Sequence, residues 1–180
     1  MDTNLESLIK TNSGKKNILE HGIRVGQLVL KLAEAAGAQV DPIDLIISAK
    51  FHDIGKTFLP EDILNKPGAL EDYEYSIIKV HPALSYKVLK IQNQNEDVLQ
   101  GVLYHHEDFA GTGYFNLKGN EIPLAARIIR IADTWDVLTC ERPYKKAYSM
   151  EKALEIMEET KSSYDPNLFY IFKKHVLNLS

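Results

Sequence analysis

The order of hydrophobic and polar residues along the chain follows a helical period almost throughout. Between residues 17 and 36, apolar side chains recur at spacings of three and four at Ile18, Val25, Leu28, Val29 and Leu32. This spacing predicts one long amphipathic helix, and Gly37 is a natural stop for it. No segment alternates apolar and polar residues as a half-buried strand does. The pattern therefore predicts an all-α fold.

Residues that start and stop helices divide the first half of the chain further. Asp41 and Pro42 are typical of an N-cap and a first helical position, and they open a helix that runs to residue 51. Pro60 begins one short helical turn. A further helix is predicted over residues 71–80, and its inward side chains would be Tyr73, Ile77 and Val80. It ends before Pro82, because the residue before a proline is pushed out of the α region.

The second half of the chain contains helix start and stop residues of the same kinds. Helices are predicted from residue 82, from Asn95 up to residues 105–106, from Pro123 to about 138, from Ser149 to about 161, and from Asp165 to about 177. A glycine-rich loop over residues 107–121 separates two of them. Together these elements predict a single helical-bundle domain of about seven to eight helices over residues 17–180, behind a polar lead-in of residues 1–16.

Composition narrows the class of protein. A chain of 180 residues is the size of one domain, and 44% hydrophobic residues are ordinary for a soluble one. A net charge of −4 argues against a partner that is a nucleic-acid polymer, which would require a basic stripe. The single Cys140 excludes an internal disulfide and favours the cytoplasm. No apolar run approaches the ~20 residues of a membrane span, so no membrane partner is expected.

Five of the six histidines fall at the ends or on the inner faces of predicted helices, and two acids accompany them. The set is His21, His52, His81, His105 and His106 with Asp53 and Asp133. Singly, His21 could be a core histidine, and Asp133 could be a carboxylate bonded to a buried tyrosine or arginine. As a cluster, imidazoles with a carboxylate able to bridge suit iron, manganese or zinc better than magnesium or calcium. Two metal ions that share a carboxylate are suited to phosphoester hydrolysis by an activated water.

The motifs that surround these residues resemble one family in their order and spacing. They are His52-Asp53 with Lys56, then His81, then His105-His106-Glu107, and then Gly111-Thr112-Gly113-Tyr114. The resemblance, over about residues 17 to 178, is to the HD-GYP branch of the HD phosphohydrolase superfamily. These proteins are metal-dependent phosphodiesterases that open cyclic di-GMP to pGpG and, in some cases, GMP.

The resemblance implies a role for each matching residue. One metal would be held by His21, His52, Asp53 and Asp133, and the second by Asp53, His81, His105 and His106. Lys56 would contact the scissile phosphate or its attacking water. Substrate would further contact Gly113 and Tyr114 in the loop, and Arg142 and Lys145 would bind the other phosphate or a guanine. The metals expected are two divalent ions, iron or manganese ahead of other transition metals.

Three positions depart from the family pattern. Asn17 stands where members with a third metal carry glutamate, which predicts two metals here. Ala110 replaces an aspartate before the first glycine of the loop, and Phe115 replaces a proline after Tyr114. Asp108 lies two residues earlier and is a candidate to reach in its place.

These departures leave alternatives open beside the cyclic di-GMP phosphodiesterase. The substrate could be another cyclic or linear dinucleotide. Another HD-type nucleotide phosphohydrolase is an alternative, although it would not need the glycine-tyrosine loop. A metal-containing but catalytically weak signalling or binding module would be consistent with the altered loop. A protein signalling partner or a homodimer is compatible with any of these functions.

Overall fold

A computed structural model describes residues 16–141 and 146–178, with side chains from residue 17 onward. In neither of these segments is there a β-strand, so the predicted all-α fold is confirmed. The α-helices of these segments are α1 (Lys16–Ala36), α2 (Pro42–Phe51), α3 (Glu61–Leu64), α4 (Asp72–Ile78), α5 (His81–Ile91), α6 (Glu96–Leu103), α7 (Leu124–Thr139), α8 (Met150–Glu159) and α9 (Pro166–Ile171). Short 3-10 turns over Ile54–Phe58, Gly119–Glu121 and Lys161–Ser163 join them, and α9 continues into a π-helical turn over Phe172–Val176.

The predicted helix boundaries rest on caps that the structure contains. The Asp41 carboxylate accepts hydrogen bonds from the backbone N–H groups of Ile43 and Asp44, at 2.8 and 3.1 Å. Asn95 caps α6 in the same way by accepting from Val98 at 3.0 Å. Such bonds satisfy amides that the first helical turn leaves without an intrahelical partner.

The core is built mainly where α1, α2 and α7 pack together, with α8 and α9 closing one side. Its buried apolar residues include Val29 of α1, Leu45 of α2, Ile129 of α7 and Met157 of α8. A smaller cluster forms between α2, α5 and α6 around Phe51. Burial of these apolar faces is the main stabilising contribution to such a bundle.

Two glycines allow the helices that carry the histidines to approach closely. A Cβ on Gly22 of α1 would lie 2.1 Å from the Lys50 carbonyl oxygen of α2. A Cβ on Gly55, two residues after Asp53, would lie 2.2 Å from the His81 carbonyl oxygen. Any residue with a Cβ at either position would collide with this backbone. The close glycine contacts therefore set the spacing of the elements that carry His21, Asp53 and His81.

Helix α4 differs from the prediction in which face it buries. Tyr73 and Val80 are 59% and 45% exposed instead of inward, and Ile77 is half-buried. The buried side chain of this short helix is Glu74, which accepts a hydrogen bond from the Lys66 ammonium at 2.6 Å. A buried, hydrogen-bonded glutamate therefore takes the place of the apolar face that the spacing predicted.

Candidate metal centre

The seven side chains predicted as metal ligands converge at one place in the fold. They come from five parts of the chain: His21 in α1, His52 and Asp53 after α2, His81 at the start of α5, His105 and His106 after α6, and Asp133 in α7. Six of them are buried, and His106 is half-buried. The remaining histidine, His175, is exposed.

The side chains form two groups that share one carboxylate. Potential ligand atoms lie within 4.8 Å of one another in each group, and the groups are Asp53, His81, His105 and His106, and His21, His52 and Asp53. Asp133 adjoins the second group, with its Oδ1 at 2.9 Å from His21 Nε2 and 3.8 Å from His52 Nε2. These are the two sets that the family resemblance implied.

Asp53 turns one oxygen toward each group. Its Oδ1 lies 3.1 Å from His81 Nε2 and 3.9 Å from His105 Nε2. Its Oδ2 lies 3.6 Å from His52 Nε2 and 3.8 Å from His21 Nε2. A carboxylate in this orientation can offer one oxygen to each of two metal ions.

The backbone orients three of the imidazoles in the same way. Nδ1 of His52, His81 and His105 lies 2.6–2.7 Å from the carbonyl oxygen three residues earlier. A carbonyl only accepts, so each Nδ1 carries a hydrogen and each Nε2 faces the centre, where it has a lone pair in the neutral ring. Metal-ligating histidines are fixed by this kind of outer hydrogen bond.

His21 is oriented by a carboxylate that the sequence analysis did not identify. Asp136 lies one helical turn after Asp133 and is 2% exposed, and its Oδ2 accepts from His21 Nδ1 at 2.7 Å. Arg24 holds the same carboxylate with two bonds, from Nε at 2.7 Å and from Nη2 at 2.9 Å. The sequence feature that could have identified Asp136 is its position on the buried face of α7, three residues after Asp133.

Charge and burial set different protonation states for the imidazoles. Burial lowers the pKa of His106 to about 3 and that of His52 below its ordinary value, and burial with the neighbouring imidazoles holds the pKa of His105 well below it. Burial also opposes charge on His21, but hydrogen bonds to Asp133 and Asp136 outweigh it and raise its pKa to about 9. Three rings are therefore neutral at neutral pH, the form that binds metal.

The two acids of the centre stay ionised despite their burial. Burial raises the pKa of Asp53, but the Lys56 ammonium and the nearby imidazoles hold it well below the ordinary value. Burial likewise raises that of Asp133, and His21 outweighs this effect. Both carboxylates are thus anionic and able to act as ligands.

The donor set fits divalent metal ions on the evidence of its unsatisfied atoms. His52 Nε2 and Asp53 Oδ1 are buried and have no hydrogen-bond partner. Leaving such atoms unpaired costs on the order of 1–3 kcal/mol each. Coordination of a cation would satisfy both, and nitrogen-rich sites of this kind suit transition metals.

Lys56 lies against the bridging carboxylate. Its Nζ donates to Asp53 Oδ2 at 2.6 Å, and its side chain is 23% exposed. The ammonium is therefore at the rim of the centre, within reach of both the centre and solvent.

The glycine-rich loop is folded around a buried acid. Glu107 is 2% exposed and accepts from the backbone N–H of Phe115 and of Leu117, each at 2.7 Å. A Cβ on Gly113 would lie 2.5 Å from the Glu107 Cα, so the loop closes onto this residue only with glycine there. The fold of the loop places the Tyr114 ring against the His106 ring, stacked at 4.8 Å.

The departures from the family pattern have local explanations in this loop. Proline at the position of Phe115 would lack the N–H that Glu107 receives here. Asp108 does reach into the loop: it accepts from Thr112 at 3.0 Å and from Arg130 at 2.8 Å. Ala110 uses only its backbone, whose N–H donates to the Ser162 carbonyl at 3.1 Å.

Two predicted site residues, Arg142 and Lys145, lie outside the described residues, as do residues 1–15 of the predicted lead-in.

In the parts of the chain that the structure does describe, no helix has the length and apolar character needed to cross a membrane.

Residues 6–168 match the HD domain family. The chain therefore belongs to the HD domain family, the superfamily that the ordered motifs from His52-Asp53 to Tyr114 predicted.

Known proteins similar to this chain are cyclic-dinucleotide phosphodiesterases by name. A cyclic di-GMP phosphodiesterase of Pseudomonas aeruginosa is 35% identical over 96% of this chain and 42% of its own length. The 3'3'-cGAMP-specific phosphodiesterase 3 of Vibrio cholerae is 39% identical over 81% of this chain and 32% of its own length. The chain thus spans less than half of these two relatives. These names support the predicted HD-GYP resemblance.

A solved structure shares the fold. An HDG"Y"P protein of Bdellovibrio bacteriovorus superimposes with a TM-score of 0.73 at 21% identity, over 99% of this chain and 58% of that one. The HD-type helical bundle is thereby confirmed.

Proposed function

We propose that this chain is a metal-dependent phosphodiesterase that hydrolyses a cyclic dinucleotide, with cyclic di-GMP as the first candidate and pGpG or GMP as product. The observation that carries the proposal is Asp53, whose two oxygens face two groups of inward-pointing imidazoles. Relatives named for this reaction support it. A cytoplasmic location, in keeping with the single Cys140, is part of the proposal.

Two divalent ions, iron or manganese, would occupy the two groups. The first would be held by His21, His52, Asp53 and Asp133, and the second by Asp53, His81, His105 and His106. When bound, they would supply an activated water as nucleophile and positive charge for the phosphate oxygens.

The chain's own residues would place the substrate. Lys56, at the rim of the centre, would donate to the scissile phosphate or hold the attacking water. Gly113 would let the loop backbone approach the substrate, and Tyr114 would present its ring and hydroxyl beside His106. Arg142 and Lys145 would contact the other phosphate or a guanine.

A mixed cyclic dinucleotide is the second candidate substrate. It is favoured by the 39% identity to a relative named as specific for 3'3'-cGAMP. Both candidates require the same chemistry at the phosphate and differ only in one base. A protein signalling partner or a homodimer is compatible with either activity.

The test is turnover by purified protein loaded anaerobically with Fe(II) or Mn(II). Cyclic di-GMP and 3'3'-cGAMP are supplied separately, and products are resolved by chromatography. We expect linear dinucleotide or mononucleotide from the wild type, none from Asp53→Ala, and normal turnover from the surface control His175→Ala. A fully metallated protein that hydrolyses neither compound would overturn the proposal.

A further inference from the structure

Among the residues that the structure describes, three tyrosine–lysine pairs four residues apart place an ammonium over the tyrosine ring. The pairs are Tyr75–Lys79, Tyr86–Lys90 and Tyr170–Lys174. In the last two, the lysine also donates to its own tyrosine hydroxyl, at 3.3 and 3.2 Å. These two are ordinary surface pairs that need no functional explanation.

The pair at the C-terminal end of α4 differs because a second aromatic ring lies near the same ammonium. Lys79 Nζ lies 4.8 Å from the centre of the Tyr75 ring and 5.1 Å from that of Tyr114. The two rings are perpendicular, with centres 6.5 Å apart. Tyr114 in turn stacks on His106, so Lys79 stands next to the ring that covers the candidate metal centre.

Lys79 has no acidic partner among residues 17–141 and 146–178. Glu74, the acid nearest to it in the sequence, is bonded to Lys66, and Asp53 of the candidate metal centre is bonded to Lys56, both at 2.6 Å. Lys79 itself is exposed. An exposed ammonium that aromatic rings hold and no carboxylate neutralises is available to an anionic ligand.

The helix that carries Lys79 is held in place. Besides its bond to Lys66, Glu74 accepts from the Glu71 backbone N–H at 2.7 Å as part of a capping box. This network fixes the N-terminal end of α4 on the loop before it. The backbone of this helix, which ends at Lys79 as its C-cap, is therefore held by the fold.

We propose that Lys79, held by Tyr75 and Tyr114, binds the second phosphate of the cyclic dinucleotide, the one that is not hydrolysed. This inference rests on the proposed function, because a cyclic dinucleotide carries two phosphates in one ring. A cation beside the centre engages one of them while the other meets the metals. The contact selects cyclic dinucleotides over esters with a single phosphate.

The test compares Lys79→Met with wild type on two substrates. Methionine keeps an unbranched stem of similar length over the rings and removes the charge. The substrates are the cyclic dinucleotide that the wild type hydrolyses and bis(p-nitrophenyl) phosphate, which has one phosphate only. A lost charge-assisted hydrogen bond corresponds to about a tenfold change or more, so we expect KM for the cyclic dinucleotide to rise about tenfold more than KM for the single-phosphate ester. Lys90→Met is the matched control and leaves both values unchanged.

Each result has a definite consequence. An equal change on both substrates, or none, overturns the role of Lys79 and leaves the proposed function standing. A fall in bound metal per chain, measured by elemental analysis, assigns Lys79 a structural role and also overturns it. A metallated wild type that cleaves the single-phosphate ester but no cyclic dinucleotide overturns the proposed function, and this inference with it.

Discussion

The carboxylate of Asp136 should control the affinity of one of the two proposed metal ions. It accepts a bond from His21 Nδ1 at 2.7 Å and two bonds from Arg24. In Asp136→Asn, one oxygen becomes an NH2 group, which must face either the His21 ring or an Arg24 donor. If it faces the ring, the ring hydrogen moves to Nε2, the atom that points into the centre. If it replaces Oδ1, it opposes the Arg24 Nε donor, and the His21 ring keeps only a neutral amide oxygen in place of a carboxylate.

The size of the effect follows from the role of outer ligand contacts. Removing such a partner costs about 10- to 100-fold in metal affinity. We therefore expect the ion at His21 to bind about 10- to 100-fold more weakly in Asp136→Asn. The group of Asp53, His81, His105 and His106 receives no bond from Asp136, so the ion there is an internal reference.

The assay is a titration of metal-free protein with Mn(II) in competition with a chelator of known affinity. Arg24→Met is the matched variant, because it keeps the carboxylate on His21 and removes only the outer support. We expect a smaller loss from it than from Asp136→Asn. Thermal unfolding of the metal-free proteins checks that all three are folded alike.

Two results would refute this reasoning. Unchanged affinity at both positions in Asp136→Asn would mean that the carboxylate does not control His21 as a ligand. Equal loss at both positions, together with a lower melting temperature, would mean that Asp136 supports the fold and has no specific effect on one ion.

Three further predictions concern the centre and its loop. Asp53→Ala should lower the binding of both ions and abolish hydrolysis, since it removes the bridge; elemental analysis and turnover check this, and retained activity would contradict it. The raised pKa of His21, about 9 against 6.5, means that its proton stabilises the metal-free fold below pH 6.5 and that this contribution is lost as pH rises through about 9. Metal must displace that proton, so metal affinity should rise with pH between about 6.5 and 9, and calorimetry should show proton release on binding. A metal affinity that does not change over this interval would contradict the prediction. Gly113→Ala places a Cβ 2.5 Å from the Glu107 Cα and should displace the loop. We expect kcat/KM to fall by about tenfold or more while the bound metal per chain is unchanged. If the variant has the kinetics of the wild type, the loop tolerates the methyl group and the reasoning is wrong.

Local signals in the sequence were sufficient to predict the helices. The caps at Asp41 and Asn95 and the stop at Gly37 act over a few residues, and the structure contains each of them. The face of α4 was predicted wrongly for the same reason. Which face of α4 is buried depends on the Lys66–Glu74 bond, and the spacing of apolar residues gives no information about that bond.

The candidate ligands were also found in the sequence, as residue types at helix ends, and the fold brings all seven together. What the sequence by itself determined is this set of donors and the helices that carry them. Only the tertiary structure decided which oxygen of Asp53 faces which group, that Asp136 holds His21 across 115 residues of chain, and that Lys79 stands beside Tyr114. These contacts join elements remote in sequence, and their geometry depends on close packing at Gly22 and Gly55, where a Cβ would collide with backbone. Periodicity reports which side of a helix is buried, whereas the packing of the whole bundle sets what that side meets.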